Sequence, residues 1–313
     1  MLVVVALGGN ALLRRGESAD VHVQRRNVEQ AVESIAALAR EHRVVVTHGN
    51  GPQVGLLALQ AAAYHEVEPY PLDVLGAESE GMIGYLLEQR LHSRLPDVQA
   101  ATLLTQVIVD RDDPAFARPS KPIGPTYDKA TAERLARQRN WTIAPDGESW
   151  RRVVASPEPQ RIVELQTIRT LVDAGVLVVC VGGGGIPVTT DEHGALHGVE
   201  AVIDKDHSAA LLARELHADA LLLLTDVAAV ERDHGTPNAH PMRLLSVEEL
   251  DPESFAAGSM RPKIEAACHF ARDGGFAAIG ALADAAQILA GEKGTRIIVE
   301  PEPARSPSTR SPR

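Results

Sequence analysis

The chain has 313 residues, with 42 Asp+Glu against 31 Lys+Arg for a formal charge of −11, 44% hydrophobic residues and 3% aromatics. That hydrophobic share excludes disorder throughout and supports a sizeable core, in one large domain or two lobes. The acidic balance and scarce aromatics argue against a nucleic-acid partner, but a local cluster of cations could still hold a small anion.

Short β-branched apolar runs alternate with segments of helical periodicity, the pattern of a parallel sheet with helices on both faces. In chain order the pattern predicts a strand at 2–7, a helix at 21–41, a strand at 43–48 and helices at 53–65 and 77–94. A strand at 103–109 then leads into an insertion over 110–159, rich in Pro, Arg and Asp, with one helical run at 129–140 and both tryptophans. Helix 160–174, strand 176–181 and a hairpin within 186–203 follow. The remainder reads as helix 208–217, strand 220–224, helix 262–273, strand 277–281, helix 283–290 and strand 296–299. Residues 301–313, mostly Pro, Ser and Arg, are expected to be a disordered tail.

No apolar run approaches the roughly 18 residues of a membrane span, and residues 1–7 are too short for a signal-peptide core. Cys180 and Cys268 give neither a disulfide framework nor a zinc spacing. The expectation is a soluble, cytoplasmic protein with no membrane partner.

Three glycine-rich turns each follow a predicted strand: Gly8-Gly9-Asn10, Gly49-Asn50-Gly51 and the run from Gly182 to Gly185. In a parallel sheet all three fall at the carboxyl edge, where glycine lets backbone N–H groups close on phosphate oxygens. Glycines that merely make tight turns would explain any one of them, but less readily three at one edge. No GxxxxGK[ST] loop, GxGxxG fingerprint with its acidic partner, HExxH or GxSxG is present, which disfavours P-loop NTPases, typical NAD enzymes, zincins and α/β-hydrolases. His48 and His207 read as structural or hydrogen-bonding residues.

Only five residues are lysine, in a chain that otherwise uses arginine for positive charge. Lys205 lies in Asp204-Lys205-Asp206 and Lys263 in a segment that opens another helix, while Lys121 precedes Pro122-Ile123-Gly124-Pro125 in the insertion. A lysine against a phosphoryl group offers a compact, rotatable charge that a planar guanidinium does not copy. Lys129 and Lys293 read as ordinary solvated residues. Asp206, at a helix start, reads either as a helix cap or as the carboxylate that orients two lysines.

With these motifs in hand, the chain resembles the carbamate kinases of the amino acid kinase superfamily. The matching segments are ALGGNAL at 6–12, THGNGPQVG at 47–55, GMIGY at 81–85, KPIGP at 121–125, GGGGIPV at 182–188, GVEAVIDKD at 198–206, LTDV at 224–227 and GSM with PK at 258–263. The resemblance implies a three-layer α/β/α sandwich with a mainly parallel sheet, a small protruding subdomain at about 112–158, and a homodimer. Within one domain over 1–300, residues up to about 180 would take the phosphoryl acceptor and residues from about 181 the nucleotide.

The implied reaction is ATP with carbamate giving ADP and carbamoyl phosphate, usually run toward ATP in arginine catabolism, with Mg²⁺ held mainly by the nucleotide phosphates and no protein metal ligand. By the same resemblance Lys205, Lys263 and Lys121 contact the phosphoryl group and Asp206 organises the lysines. Gly8, Gly9, Asn10, Gly49, Asn50, Gly51, Gly183 and Gly184 hold substrate and phosphate, and Thr225, Asp226, Val227, Met260 and Lys263 border the nucleotide. The sequence departs from the family pattern at Glu80, where Gln is expected; if its side chain points inward, it adds a negative charge near an anion site. Rival readings are another small-molecule kinase of the superfamily, acting on a carboxylate or on UMP, and a nucleotide sensor without turnover.

Overall fold

The strand Leu2–Leu7 is buried along its whole length, as is Ala220–Thr225 beside it. Continuous burial of this kind requires cover on both faces, and the side chains divide accordingly. Val3, Val5 and Leu7 pack with Val28, Ile35, Ile83, Leu87 and Ile288, from the helices Val21–Ala39, Leu72–Arg94 and Ala285–Leu289. Leu2, Val4 and Ala6 pack with Ile168, Leu212 and Ile264, from the helices Leu165–Asp173, Lys205–Glu215 and Met260–Arg272. The result is the expected three-layer α/β/α sandwich. These features come from a computed structural model that describes residues 1–13, 16–18, 20–64, 66–236, 238–248, 250–255 and 260–299. The predicted tail at 301–313 lies outside the described residues, as do Gly258 and Ser259 and the side chain of Asn10.

The central sheet has eight strands in the order Leu244–Ser246, Thr295–Ile298, Phe276–Ala281, Ala220–Thr225, Leu2–Leu7, Arg43–His48, Leu177–Val179, Ala100–Thr102. All neighbours are parallel except Phe276–Ala281 with Thr295–Ile298. In register, Leu7 stands between Leu224 and His48. The turns that begin at Gly8, Gly49 and Thr225 therefore leave the sheet side by side, and this fixes where the site is built.

Several expectations change. The predicted strand at 103–109 is two strands. Ala100–Thr102 ends in the central sheet, and Gln106–Val109 enters a second sheet between Ile186–Thr190 and Pro159–Ile162. The expected hairpin is Ile186–Thr190 against Leu196–Gly198. The insertion is more regular than its composition suggests. Lys121–Tyr127, Ser149–Val154 and Thr142–Asp146 form an antiparallel sheet with the helix Lys129–Arg139, which Asp128 caps and Asn140 ends in a left-handed turn. Prolines 122, 125 and 145 hide these strands in the sequence, because proline in a strand is confined to edges and irregular pairings. The strand Leu244–Ser246 at the sheet edge was not expected at all.

Candidate active site

Asp206 is buried in the first turn of the helix Lys205–Glu215 and receives an ammonium on each oxygen. Lys205 Nζ donates to Oδ1, and Lys263 Nζ, from the first turn of the helix Met260–Arg272, donates to Oδ2 at 2.9 Å. Asp206 is not the helix cap. That position belongs to Asp204, whose Oδ1 accepts the Asp206 N–H at 2.8 Å while its Oδ2 takes the Lys121 ammonium from the insertion. Three ammoniums thus face two carboxylates, leaving an excess of positive charge in an acidic protein.

Burial opposes charge on every member of this cluster, and the partners decide the outcome. Asp206 is held below its ordinary range because Lys205 and Lys263 outweigh its burial. Asp204 is held far below that range by Lys121, His207 and Lys205 against the same cost. For Lys263, Asp206 and Asp204 overcome burial and raise it. Lys205 goes the other way: burial, with repulsion from Lys263, outweighs Asp206 and brings it down to about 8.

The glycine turns close on this cluster. A Cβ on Gly49 would lie 3.0 Å from Gly9 N and 3.4 Å from Lys205 Cδ, so the two turns and the lysine stem are in contact. The N–H groups of Gly8 and Gly49 are spent on Leu224 and Leu7 carbonyls at 2.8 and 3.0 Å. Free donors must then come from the first turns of the helices Gly9–Leu12 and Gly51–Ala61, whose leading N–H groups have no intrahelical acceptor. Gly183 and Gly184 are buried behind this edge. A Cβ on Gly183 would sit 2.1 Å from Asn50 Nδ2, and Gly184 offers its carbonyl to Ser208 Oγ at 2.7 Å. They act as a wall that supports Asn50 and the lysine helix.

Lys121 opens the strand Lys121–Tyr127. Its strand runs over the helix Gly51–Ala61 at a point where Gly124, with φ of 71°, touches Gly55; a Cβ on Gly55 would fall 1.9 Å from Gly124 Cα. Only two glycines allow that approach, and it places the Lys121 ammonium on Asp204.

On the other side of the sheet centre, a cavity of about 760 Å³ is lined by Thr225, Asp226, Val227, Met260 and Lys263, with Leu250 and Phe255 among its apolar walls. All five residues expected to border a nucleotide line this one cavity. Lys263 joins it to Asp206, so a ligand in the cavity can present its charged end to the lysines.

Sequence reasoning did not single out Asp204, Ser79 or Ser208. Asp204 carried a signal, since Asp immediately before a helical run is a cap candidate. His48 is buried with its Nδ1 3.4 Å from the Gly49 carbonyl, and burial, with Lys205 nearby, lowers it to about 4 and keeps it neutral. His207 meets Glu158 at 3.0 Å and Glu265 at 3.3 Å; against its burial, these partners and Asp204 raise it to about 9. Lys129 lies over the Trp150 ring at 5.5 Å and exposed Lys293 bonds Asp284 at 2.6 Å, both far from the cluster in chemical role.

A mainly parallel sandwich with ligand turns at one edge and a lysine-clasped carboxylate is the architecture of a small-molecule kinase, and the family model described as the amino acid kinase family matches residues 1–279. Carbamate kinase of Haemophilus influenzae is 54% identical over 304 residues, 96% of this chain and 98% of that protein. Carbamate kinase of Rhizobium meliloti is 56% identical, covering 95% of this chain and 93% of the relative. Among solved structures, carbamate kinase from Giardia lamblia bound to citric acid superposes with a TM-score of 0.89 at 39% identity, over 96% of this chain and 98% of that one. The chain belongs to the amino acid kinase family and, within it, to the carbamate kinases.

Proposed function

We propose that the protein catalyses the reversible transfer of a phosphoryl group between ATP and carbamate, giving ADP and carbamoyl phosphate, and that it works toward ATP in arginine catabolism in the cytoplasm. The observation that carries this reading is the pair Lys205 and Lys263 on the two oxygens of one buried Asp206, at the meeting point of the glycine turns and the 760 Å³ cavity.

A carbamate oxygen is already anionic, so it attacks the γ-phosphorus without a general base while the bond to the ADP oxygen breaks. Catalysis then consists of positioning and charge neutralisation. Lys205 and Lys263 take the oxygens of the phosphoryl group in flight, and Asp206 holds both ammoniums at the spacing this requires. Lys121, held on Asp204 from the small sheet, adds a third cation and covers the site against water. Gly9, Asn10, Asn50 and Gly51 offer amides to carbamate and the transferring phosphate, with Gly8 and Gly49 shaping the turns and Gly183 and Gly184 backing them. Thr225, Asp226, Val227 and Met260 border the nucleotide, so the acceptor is served mainly by residues before about 180 and the nucleotide by those after. Mg²⁺ enters as part of the nucleotide substrate. Asp204 and Asp206 both pair with lysines, so the nucleotide phosphates would hold the ion, which would offset their charge.

The same reading makes the protein a homodimer. Met82 and Tyr85 on the helix Leu72–Arg94 and Leu104 beside the edge strand Ala100–Thr102 are exposed and adjacent, with Leu104 Cδ2 3.8 Å from the Cβ position of Gly81. This apolar patch suits a two-fold contact. The reaction is tested by ATP formation from ADP with carbamoyl phosphate beside acetyl phosphate and other acyl phosphates. Preference for carbamoyl phosphate supports it; preference for another donor, or nucleotide binding without turnover, refutes it.

A further inference from the structure

Two consecutive residues of the helix Leu72–Arg94, Ser79 and Glu80, are polar and buried. Each is spent on a loop of the site. Ser79 Oγ accepts from Asn50 Nδ2 at 2.8 Å and donates to the Gly76 carbonyl at 2.8 Å. Glu80 Oε1 accepts the Gly182 N–H at 2.7 Å, and Oε2 accepts the Thr105 N–H at 3.2 Å. Thr105 Oγ1 in turn accepts the Val181 N–H at 3.0 Å.

The chain these bonds hold is strained. Val181 has φ of 53°, a left-handed conformation that a β-branched residue rarely adopts, and Gly183, Gly184 and Gly185 follow at 69°, 97° and 88°. Such backbone persists only where its surroundings over-determine it. A buried carboxyl is a costly way to fill a helix position unless its bonds are needed. Here its two acceptor oxygens, with the Thr105 hydroxyl, grip the turn from which Gly183 presses on Asn50.

We infer that Ser79 and Glu80 are positioning residues for the phosphoryl-acceptor side of the site: Ser79 fixes the Asn50 side chain against Gly183, and Glu80 fixes the strained Val181–Gly182 turn behind it. This rests on the phosphoryl-transfer reading above. Glu80 is surrounded by His48 at the end of the strand Arg43–His48, by Cys180 just past the strand Leu177–Val179 and by Glu164 ahead of the helix Leu165–Asp173, with Lys205 beyond His48. Among the described residues, none of the groups next to it is a cation. Burial, aided by Glu164, raises Glu80 to about 8 against the two amide bonds. It is mostly neutral at pH 7 and becomes an anion behind the acceptor site at higher pH.

The test is steady-state ATP formation by wild type, Ser79→Ala, Glu80→Gln and Glu80→Ala at pH 7 and pH 9. Ser79→Ala and Glu80→Ala are expected to raise KM for carbamoyl phosphate about fivefold or more, with KM for ADP within about twofold. Glu80→Gln keeps the volume and one acceptor oxygen, and at pH 7 it stays within about threefold of wild type. Between pH 7 and 9, KM for carbamoyl phosphate rises more in wild type than in Glu80→Gln, because only wild type gains the charge; the titration of Lys205 is common to both and cancels in their ratio. An unchanged carbamoyl phosphate KM in Ser79→Ala and Glu80→Ala, both KM values moving together in them, or a pH-independent ratio of wild type to Glu80→Gln would overturn the assignment. If Glu80→Ala does not fold, Ser79→Ala decides by its split between the two KM values and Glu80→Gln by the pH-dependent ratio. A wild type that forms no ATP from carbamoyl phosphate refutes the phosphoryl-transfer reading itself, and this role with it.

Discussion

Each lysine of the cluster has a different electrostatic task, and their environments already separate them. Lys263, drawn upward by Asp206 and Asp204 against its burial, stays charged at any working pH. Lys205, lowered by burial to about 8, is the member that titrates. Its charged form exists below that value, so turnover is expected to hold near pH 7 and fall as pH rises through about 8. A kcat against pH profile, with Lys129→Ala and Lys293→Ala as controls that leave it unchanged, checks this. The same profile in the two controls follows from their places on Trp150 and Asp284, away from Asp206. These lysines could be sorted from sequence because arginine had taken the interchangeable surface positions. Asp204 could not be given its partner, since the contact with Lys121 spans 83 residues and depends on how the insertion folds back. The inward orientation of Glu80 was equally hidden, because a helix residue shows its face only once both neighbouring sheets are in place.

Among elements, the strands with continuous apolar burial were legible, and those defined by tertiary pairing were not. Leu2–Leu7 and Arg43–His48 announce themselves by β-branched runs ending in glycine. The break at 103–105 has no such mark; it arises where Thr105 leaves the central sheet to bond Glu80 and Val181. The insertion is a docked sheet, and its Gly124 meets Gly55 of the helix Gly51–Ala61. Gly55→Ala should drive Gly51–Ala61 away from the Lys121 strand and lower kcat about tenfold or more, as near-attack geometry is lost, with little change in KM for ADP. Comparison with Lys121→Ala measures whether the two act through the same step.

His207 links three elements in the same region, meeting Glu158 at the end of the insertion and Glu265 on the Lys263 helix. Its folded value, about 9, lies above the ordinary 6.5, so its charge contributes stability that is complete below about pH 6.5 and lost as pH rises through about 9. Urea unfolding from pH 6 to pH 9.5 should show a steeper decline for wild type than for His207→Asn. Parallel curves would show that the His207 contacts with Glu158 and Glu265 add no pH-dependent stability.

For the whole molecule, a net charge of −11 coexists with a site where three ammoniums meet two carboxylates. The sheet brings this about by register: Leu7, His48 and Leu224 end together, so turns far apart in sequence converge on Lys205. The claim at the centre is that the lysine pair on Asp206 stabilises the phosphoryl group in flight. Its most direct test is the rate of ATP formation from ADP and carbamoyl phosphate by Lys205→Ala, with circular dichroism confirming the fold. Loss of one well-placed donor predicts a fall of about a hundredfold or more. A folded Lys205→Ala protein that turns over at close to the wild-type rate would contradict the account.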